Sequence, residues 1–324
     1  MQSLKVLAIA MLALSVPSGA AERSVEVESG VRIAVADEGP VGGPPIVLLP
    51  GWGMSRHVWR KQVAALSGRF RIVVIEPRSQ GRSSTVTGDV SPEARARDIA
   101  NVLAKLDLEH VTLVAWSQGV QDASSLIMGE ATSRIDRIML IDALPSAGPG
   151  MAAKDAGLEF SLAMSNVILQ QPAAYAEGMV DAIFSQPLAA ADRRRFVADV
   201  LRTPSAVGVA AMLASLYGAD RQPQWRVTCV PVLVVASGLS KERSAMRDFA
   251  ASLPDGSYAE VEGGGHALFF DQPERFNDLL TAFAQKSKTG PSSCAAAPAG
   301  PAAASSILAM RRQIGRPRKE AAGA

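Results

Sequence analysis

The stretch that decides the fold is Val111-Thr112-Leu113-Val114-Ala115-Trp116-Ser117-Gln118-Gly119. It begins as an apolar, β-branched run of the kind that forms a strand buried on both faces, and a helical pattern through Ile127 follows directly. A serine on such a sharp strand-to-helix turn takes a strained backbone conformation with its hydroxyl exposed, which requires very small residues two positions before and after it. Ala115 and Gly119 meet that requirement. The pattern therefore predicts that Ser117 is a catalytic nucleophile.

A serine hydroxyl is a poor nucleophile near neutral pH and needs a base within hydrogen-bond reach. The chain has three histidines. His266 follows the last predicted strand in Gly263-Gly264-Gly265-His266, where three glycines allow an irregular loop to carry the ring inward. His110 precedes a strand and is expected to be a solvated loop residue, whereas His57, at the start of a helix, is expected at the surface or rim. His266 is therefore the predicted base.

Two backbone N–H groups are predicted to stabilise an oxyanion near this serine. Gln118 begins the helix after the turn, so its N–H and the positive end of the helix dipole face a developing negative charge. The second donor is expected from the loop Leu49-Pro50-Gly51-Trp52-Gly53, where glycines let the backbone approach a substrate closely. We predict that the N–H of Trp52 points at the same oxygen. A simple strand-ending turn is the alternative interpretation of this loop.

Short β-branched runs alternate with longer helical patterns along the chain, which is typical of a mostly parallel sheet covered by helices. An N-terminal hairpin is predicted from Ser24 to Glu28 and from Val31 to Ala36. The later predicted strands are Ile46 to Leu49, Ile72 to Ile75, Val111 to Val114, Ile138 to Ile141, Val232 to Val235 and Tyr258 to Val261.

Helical patterns fill the gaps between the strands. Ser91-Pro92-Glu93 is a helix start signal, with an N-cap hydroxyl and a proline at the first helical position. Another helix is predicted from Asp271 to Ala284. The alanine-rich stretch from Pro145 to Gln224 is longer than the other gaps, and we interpret it as a helical cap whose spare apolar surface forms one wall of a substrate pocket. Ordinary scaffold helices of a larger sheet are the alternative.

Both ends of the chain differ from its body. Residues 1–21 contain one lysine, an apolar run of about 11 residues and small residues up to Ala21, which predicts a cleaved signal peptide and an exported, periplasmic or secreted protein. A span would need roughly 20 apolar residues, so no stable membrane anchor is expected. Residues 286–324 are rich in alanine, proline, glycine and serine and carry seven basic residues against a single glutamate. This tail is predicted to be disordered.

Composition restricts the function classes. The chain has 324 residues that are 48% hydrophobic, 20% charged and 5% aromatic, as in ordinary globular proteins. The net charge of +2 is carried by the tail, so the body is mildly acidic and no nucleic-acid partner is expected. Two cysteines and three histidines are too few for a structural zinc site or a multi-histidine metal centre. We therefore predict no metal. No cofactor motif is obvious in the sequence either, so the chemistry is expected to come from side chains without a cofactor.

From about Ser24 to Gln285 the chain resembles α/β-hydrolase-fold proteins, in the branch of small bacterial serine hydrolases and cofactor-free haloperoxidase-like (perhydrolase-like) enzymes. Five motifs in the family's order carry the resemblance: Pro50-Gly51-Trp52-Gly53 with Trp59, Glu76-Pro77-Arg78-Ser79-Gln80-Gly81-Arg82-Ser83, the turn at Ser117, Leu140-Ile141-Asp142, and Gly265-His266 with Pro273-Glu274-Arg275-Phe276. The resemblance implies an α/β fold with a mostly parallel eight-stranded sheet flanked by helices and a helical cap insertion. The domain is expected to span residues 22–285.

Two positions depart from the family pattern. The family commonly has His-Gly where this chain has Pro50-Gly51, which leaves the N–H donors in place. The family also usually places an aspartate a few residues beyond the penultimate strand, where this chain has Ser240. A histidine base works best when a carboxylate fixes its tautomer. Because some members of the superfamily take their acid from the strand after the nucleophile helix, Asp142 is the predicted acid. Glu242, a Ser–His dyad without an acid, and an acid elsewhere in the chain are the alternatives.

These residues favour a serine hydrolase that cleaves a small or medium apolar carboxylic ester through an acyl-enzyme, with Ser117, His266 and Asp142 as triad and Trp52 and Gln118 as oxyanion hole. An aspartate at the nucleophile position would have implied the dehalogenase or epoxide hydrolase relatives. Two alternatives remain open. The same scaffold supports cofactor-free oxygenation, perhydrolysis or C–C bond hydrolysis, and a non-catalytic ligand-binding protein would also tolerate a missing acid.

Overall fold

The computed structural model describes residues 21–145 and 155–286. Residues 1–20 of the predicted signal peptide and residues 287–324 of the predicted basic tail lie outside the described residues.

One eight-stranded sheet forms the centre of the molecule. Its strands are β1 (Ala21–Glu28), β2 (Val31–Glu38), β3 (Pro45–Leu49), β4 (Arg71–Ile75), β5 (Val111–Trp116), β6 (Ile135–Ile141), β7 (Val232–Ser237) and β8 (Gly256–Val261). The spatial order is β1-β2-β4-β3-β5-β6-β7-β8. β2 pairs antiparallel with both β1 and β4, and all the other neighbouring strands in this order pair parallel. All eight predicted strands are confirmed, each extended by one to three residues at one or both ends.

The helices lie in the order expected for this sheet. They are α1 (Arg60–Leu66), α2 (Pro92–Lys105), α3 (Gln118–Leu126), α4 (Asp155–Gln170), α5 (Pro172–Ile183), α6 (Ala190–Arg202), α7 (Ser205–Tyr217), α8 (Gln222–Trp225), α9 (Arg243–Ala251), α10 (Leu268–Asp271) and α11 (Pro273–Gln285). Two 3₁₀ turns, Arg56–Trp59 and Glu130–Arg134, complete the set within the described ranges.

Hydrophobic residues on the two faces of the sheet belong to two separate core clusters. In β5, Leu113 and Ala115 pack on one side, whereas Val114 and Trp116 pack on the other. All four side chains are almost completely buried. This double burial explains why the sequence of the strand is continuously apolar instead of alternating. It also holds the end of β5 rigidly at the centre of the sheet.

Of two predicted helix starts, the structure confirms one and moves the other. Ser91 caps α2, because its side chain accepts a hydrogen bond from the N–H of Ala94 and Pro92 follows at the first helical position. The prediction that the last helix begins at Asp271 is wrong by two residues. That helix begins at Pro273, and Asp271 ends the separate short helix α10. The side chain of Asp271 accepts hydrogen bonds from the N–H groups of Ser185 and Gly265.

Five helices, α4 to α8, lie between β6 and β7 in the described part of the chain, and no strand interrupts them there. We call α4 to α7 the cap. α5 and α6 pack against each other, as do α4 and α7. Within residues 21–145 and 155–286, no single helix has the length and apolar composition of a membrane span; α6 and α7 meet that criterion only together, as a pair bent by 85°.

Candidate active site

Ser117 lies on the sharp turn between β5 and α3, which we call the elbow. Its backbone angles, φ 55° and ψ −120°, fall in a region that residues with a side chain rarely occupy. The N–H of Ser117 donates to the carbonyl of Ile141 (3.1 Å), so the neighbouring strand holds the strained residue in place. A Cβ at Gly119 would lie 3.1 Å from the Leu49 carbonyl oxygen, so only glycine fits there without displacing β3.

His266 lies in the loop that follows β8, and its ring reaches the elbow. Its Nε2 is 2.9 Å from the Oγ of Ser117. Two contacts fix the loop: the indole N–H of Trp116 donates to the carbonyl of His266 (2.8 Å), and the N–H of Gly265 donates to Asp271 (2.8 Å). The histidine is therefore held from both the strand beneath it and the short helix after it.

Asp142 follows β6 directly and contacts the other ring nitrogen of His266. Its Oδ2 is 2.8 Å from His266 Nδ1, and its Oδ1 accepts from the N–H of Ser237 (2.9 Å). Asp142 is only 9% exposed and has φ 47°, a left-handed conformation that aspartate tolerates better than most residues. Glu242, the alternative acid, is exposed, and no hydrogen bond joins its side chain to His266 among the described contacts.

The three side chains form one continuous row of hydrogen bonds. An ionised carboxylate only accepts hydrogen bonds, so Asp142 selects the tautomer of His266 that carries its proton on Nδ1. The lone pair of Nε2 then faces the hydroxyl of Ser117, which donates to it. This arrangement is able to remove a proton from Ser117 while the resulting imidazolium is stabilised by the aspartate.

Trp52 and Gln118, the two predicted oxyanion donors, both line the cavity above Ser117. Among the described residues, neither backbone N–H donates a hydrogen bond, so both are available to a ligand. Their side chains are anchored to α7 of the cap. The indole N–H of Trp52 donates to the carbonyl of Gly208 (2.8 Å), and the side-chain amide of Gln118 donates to Ser215 (2.9 Å).

The cavity over the elbow has a volume of about 310 Å³ and a mostly apolar wall. Its lining residues are Trp52, Trp116, Ser117, Gln118, Gln121, Ala143, Tyr175, Met179, Ile183, Met212, Ser215, Leu216 and His266. The wall opposite the elbow is supplied by α5 and α7. Three apolar residues of the cap, Leu158, Phe160 and Leu162 of α4, are exposed instead.

The other two histidines lie away from this cavity. His110 is exposed, as predicted, with its side chain 78% accessible beside Asp136. His57 is half-buried, and its Nδ1 lies 2.8 Å from the Oγ of Ser55 and 3.1 Å from Asp199 of α6. Nothing in the sequence links α6 to the loop after β3, so this contact was not predicted.

The chain belongs to the alpha/beta hydrolase family, whose model matches residues 46–279. It is 23% identical over 271 residues to the AB hydrolase superfamily protein YisY of Bacillus subtilis (strain 168), covering 80% of this chain and 97% of that protein. Bromoperoxidase from Bacillus anthracis superposes with a TM-score of 0.73 at 21% identity, covering 82% of this chain and 100% of that one. An esterase (EaEST) from Exiguobacterium antarcticum gives 0.73 at 20% identity, covering 81% and 99%.

These matches confirm the predicted family and fold, and they identify the chain as an α/β-hydrolase enzyme. The similarity to the solved structures lies below 25% identity, so it defines the fold and leaves the reaction to be argued from the site itself. Within the described ranges, no three His, Cys, Asp or Glu side chains are grouped as metal ligands would be.

Proposed function

We propose that the protein hydrolyses a small or medium apolar carboxylic ester through an acyl-enzyme intermediate on Ser117. The observation that carries this proposal is the unbroken hydrogen-bonded row from Asp142 through His266 to Ser117, which ends at the floor of an apolar cavity. A serine with a base in contact and an acid behind that base is the arrangement that acyl transfer requires.

The reaction proceeds in two halves. The Oγ of Ser117 attacks the ester carbonyl while its proton moves to Nε2 of His266, and a tetrahedral oxyanion forms. The N–H groups of Trp52 and Gln118 stabilise that charge, aided by the positive end of α3. The bond to the alcohol oxygen then breaks, and His266 returns the proton to the leaving group. Water repeats the sequence on the acyl-enzyme, which releases the acid and regenerates Ser117.

The cavity favours an apolar substrate of limited size. Met179 and Ile183 of α5 and Met212 and Leu216 of α7 provide its apolar wall, and methionine side chains adapt to different shapes. Burial of each methylene of an acyl chain against such a wall contributes about 0.8 kcal/mol. No aspartate, glutamate, lysine or arginine is among the described residues that line the cavity, which disfavours charged esters.

The test compares two serine variants of the full-length chain. In Ser117→Ala, turnover of nitrophenyl esters falls by about 10⁴ to 10⁶ in kcat, because the nucleophile of an intact triad is removed. A fluorophosphonate labels the wild-type protein once per chain and does not label this variant. Ser133→Ala is the matched control, since Ser133 is exposed in the turn before β6 and, within the described part of the chain, its hydroxyl donates only to the carbonyl of Glu130.

Two outcomes oppose the proposal. Ester turnover that persists in Ser117→Ala would exclude the acyl-enzyme and favour a reaction that uses His266 as base alone. Absence of both labelling and turnover in the wild-type protein, together with saturable binding of an apolar ligand, would identify a binding protein on the hydrolase scaffold.

A further inference from the structure

A second cavity lies on another side of the cap, between α6 and the core. Its volume is about 430 Å³, and its lining residues are Ser55, His57, Glu76, Gly81, Arg82, Ala191, Arg194, Arg195, Ala198, Asp199 and Arg202. None of these residues lines the cavity over Ser117. The two cavities also differ in chemistry, because this one is walled by guanidinium groups and the other by apolar side chains.

One face of α6 shapes this basic cavity. Ala191 and Ala198 lie seven residues apart, about two helical turns, and their small side chains leave space in the middle. Arg194, Arg195 and Arg202 lie on the same face and form the walls around that space. Arg82, from the loop after β4, supplies a fourth guanidinium from the core side.

The two carboxylates of the cavity, Glu76 and Asp199, already accept hydrogen bonds from groups of the protein. Glu76 accepts hydrogen bonds from the backbone N–H groups of Arg56 (2.9 Å) and Arg82 (2.7 Å), one on each carboxylate oxygen. Asp199 accepts the hydroxyl of Ser55 (2.5 Å) and lies 3.1 Å from His57 Nδ1. Both acids are almost completely buried, at 1% and 4% exposure, and act as structural acceptors at the base of the cavity.

The α6 arginines that line the cavity have no carboxylate partner among the described residues, whereas Arg193, on the same helix but outside the cavity, pairs with Asp181 and Glu177. Arg194 and Arg202 form no ion pair with any described carboxylate, and the guanidinium of Arg195 lies 3.1 Å from His57 Nε2. Arg82 pairs with exposed Glu22 on β1. Guanidinium groups that converge on one concave surface repel each other and raise the local concentration of anions. An anion between them would remove that repulsion.

We propose that this basic cavity binds a phosphate group, either as inorganic phosphate or as a small phosphomonoester, between the cap and the core. Planar guanidinium forks match the oxygen pairs of phosphate, and four arginines line one space here. The cavity exceeds the volume of one phosphate several-fold, so it also has room for an organic substituent on one oxygen. The bound group links Arg194 and Arg202 of α6 to Arg82 of the core.

The site is independent of ester hydrolysis, and its test uses binding alone. Inorganic phosphate is titrated calorimetrically into the protein at constant ionic strength, with chloride as the balancing salt. Wild-type protein shows saturable binding. In Arg194→Gln/Arg202→Gln, the affinity falls by about 100-fold, because each charge-assisted contact to phosphate contributes roughly tenfold.

The matched control removes the same two charges elsewhere. Arg69 and Arg226 are exposed, line neither cavity and form no ion pair with a described residue, so Arg69→Gln/Arg226→Gln keeps the wild-type affinity. Circular dichroism shows whether each variant is folded. The proposal is overturned if wild-type protein binds no phosphate at millimolar concentration. It is also overturned if both double variants lose affinity equally, which would mean general attraction to net positive charge.

Discussion

Replacing Asp142 by asparagine separates the charge of the acid from its shape. The amide oxygen of the new side chain is able to keep the hydrogen bond from the N–H of Ser237, which the carboxylate now accepts at 2.9 Å. The NH₂ group then faces Nδ1 of His266, where the carboxylate oxygen lies at 2.8 Å. An NH₂ group only donates, so Nδ1 becomes the acceptor and the ring proton moves to Nε2.

The wrong tautomer disables the base, because a protonated Nε2 cannot accept the proton of Ser117. We expect kcat for nitrophenyl esters to fall by about 10⁴-fold, which corresponds to about 5.5 kcal/mol of transition-state stabilisation. The free energy of unfolding changes by less than about 2 kcal/mol, since one hydrogen bond of Asp142 is kept and the other is weakened. Urea unfolding and the rate of fluorophosphonate labelling are measured on the same preparation.

Glu242→Gln is the control, because it removes one carboxylate from the loop after β7, where the family usually carries its acid. Glu242 is exposed and makes no described side-chain contact with His266, so we expect less than about a twofold change in kcat. The reasoning is refuted if Asp142→Asn retains at least a tenth of the wild-type kcat. Equal losses of kcat in Asp142→Asn and Glu242→Gln would refute it as well, because a carboxylate that does not contact His266 would then matter as much as one that does.

Three further changes test the packing around the site. Arg95→Leu leaves Asp122 buried without its counter-charge and should lower the free energy of unfolding by about 3–5 kcal/mol at pH 8. Burial already raises the pKa of Asp122 to about 6, so protonation relieves the unpaired charge and the loss should be smaller at pH 5, as urea unfolding at both pH values will show. Tyr175→Ala removes the ring that packs edge-on against Trp52 (5.5 Å between centroids) and should open the 310 Å³ cavity to a neighbouring one of about 210 Å³. The larger space should raise kcat/KM for long-chain esters relative to short ones, whereas Tyr175→Phe should keep the wild-type preference. Gly119→Ala places a methyl group 3.1 Å from backbone oxygens at the end of β3 and should cost about 1–3 kcal/mol of stability together with a fall in kcat; an unchanged thermal midpoint would contradict this.

The elements that the sequence predicted well are those that leave a local pattern in the chain. The strand before Ser117 is continuously apolar because both sides of the sheet are covered, and Gly119 is required because β3 passes so close to it. These partners are distant in the chain, but each requirement leaves a pattern that is visible within a few residues of Ser117. The start of α2 is of the same kind, since the serine cap and the proline are adjacent to the helix that they begin.

The acid could not be decided in this way. Asp142 and Glu242 follow neighbouring strands, β6 and β7, and both chain positions permit a carboxylate near the loop of His266. The choice depends on the left-handed backbone at Asp142 and on the hydrogen bond from Ser237, two features that arise only when the strands are side by side. The start of α11 was misplaced for a related reason, because Asp271 bonds to the distant Ser185.

The cap shows the same difference between features with a local sequence pattern and features that depend on distant contacts. Its helices follow from local patterns, whereas the face that meets the core depends on distant partners. α7 holds both predicted oxyanion residues through their side chains, Trp52 at the carbonyl of Gly208 and Gln118 at Ser215. The same helix presents Met212 and Leu216 to the substrate cavity. In the proposed reaction, a substrate that packs against α7 presses on the element that anchors the side chains of both proposed N–H donors, so one helix sets both the fit of the apolar chain and the geometry at the oxyanion.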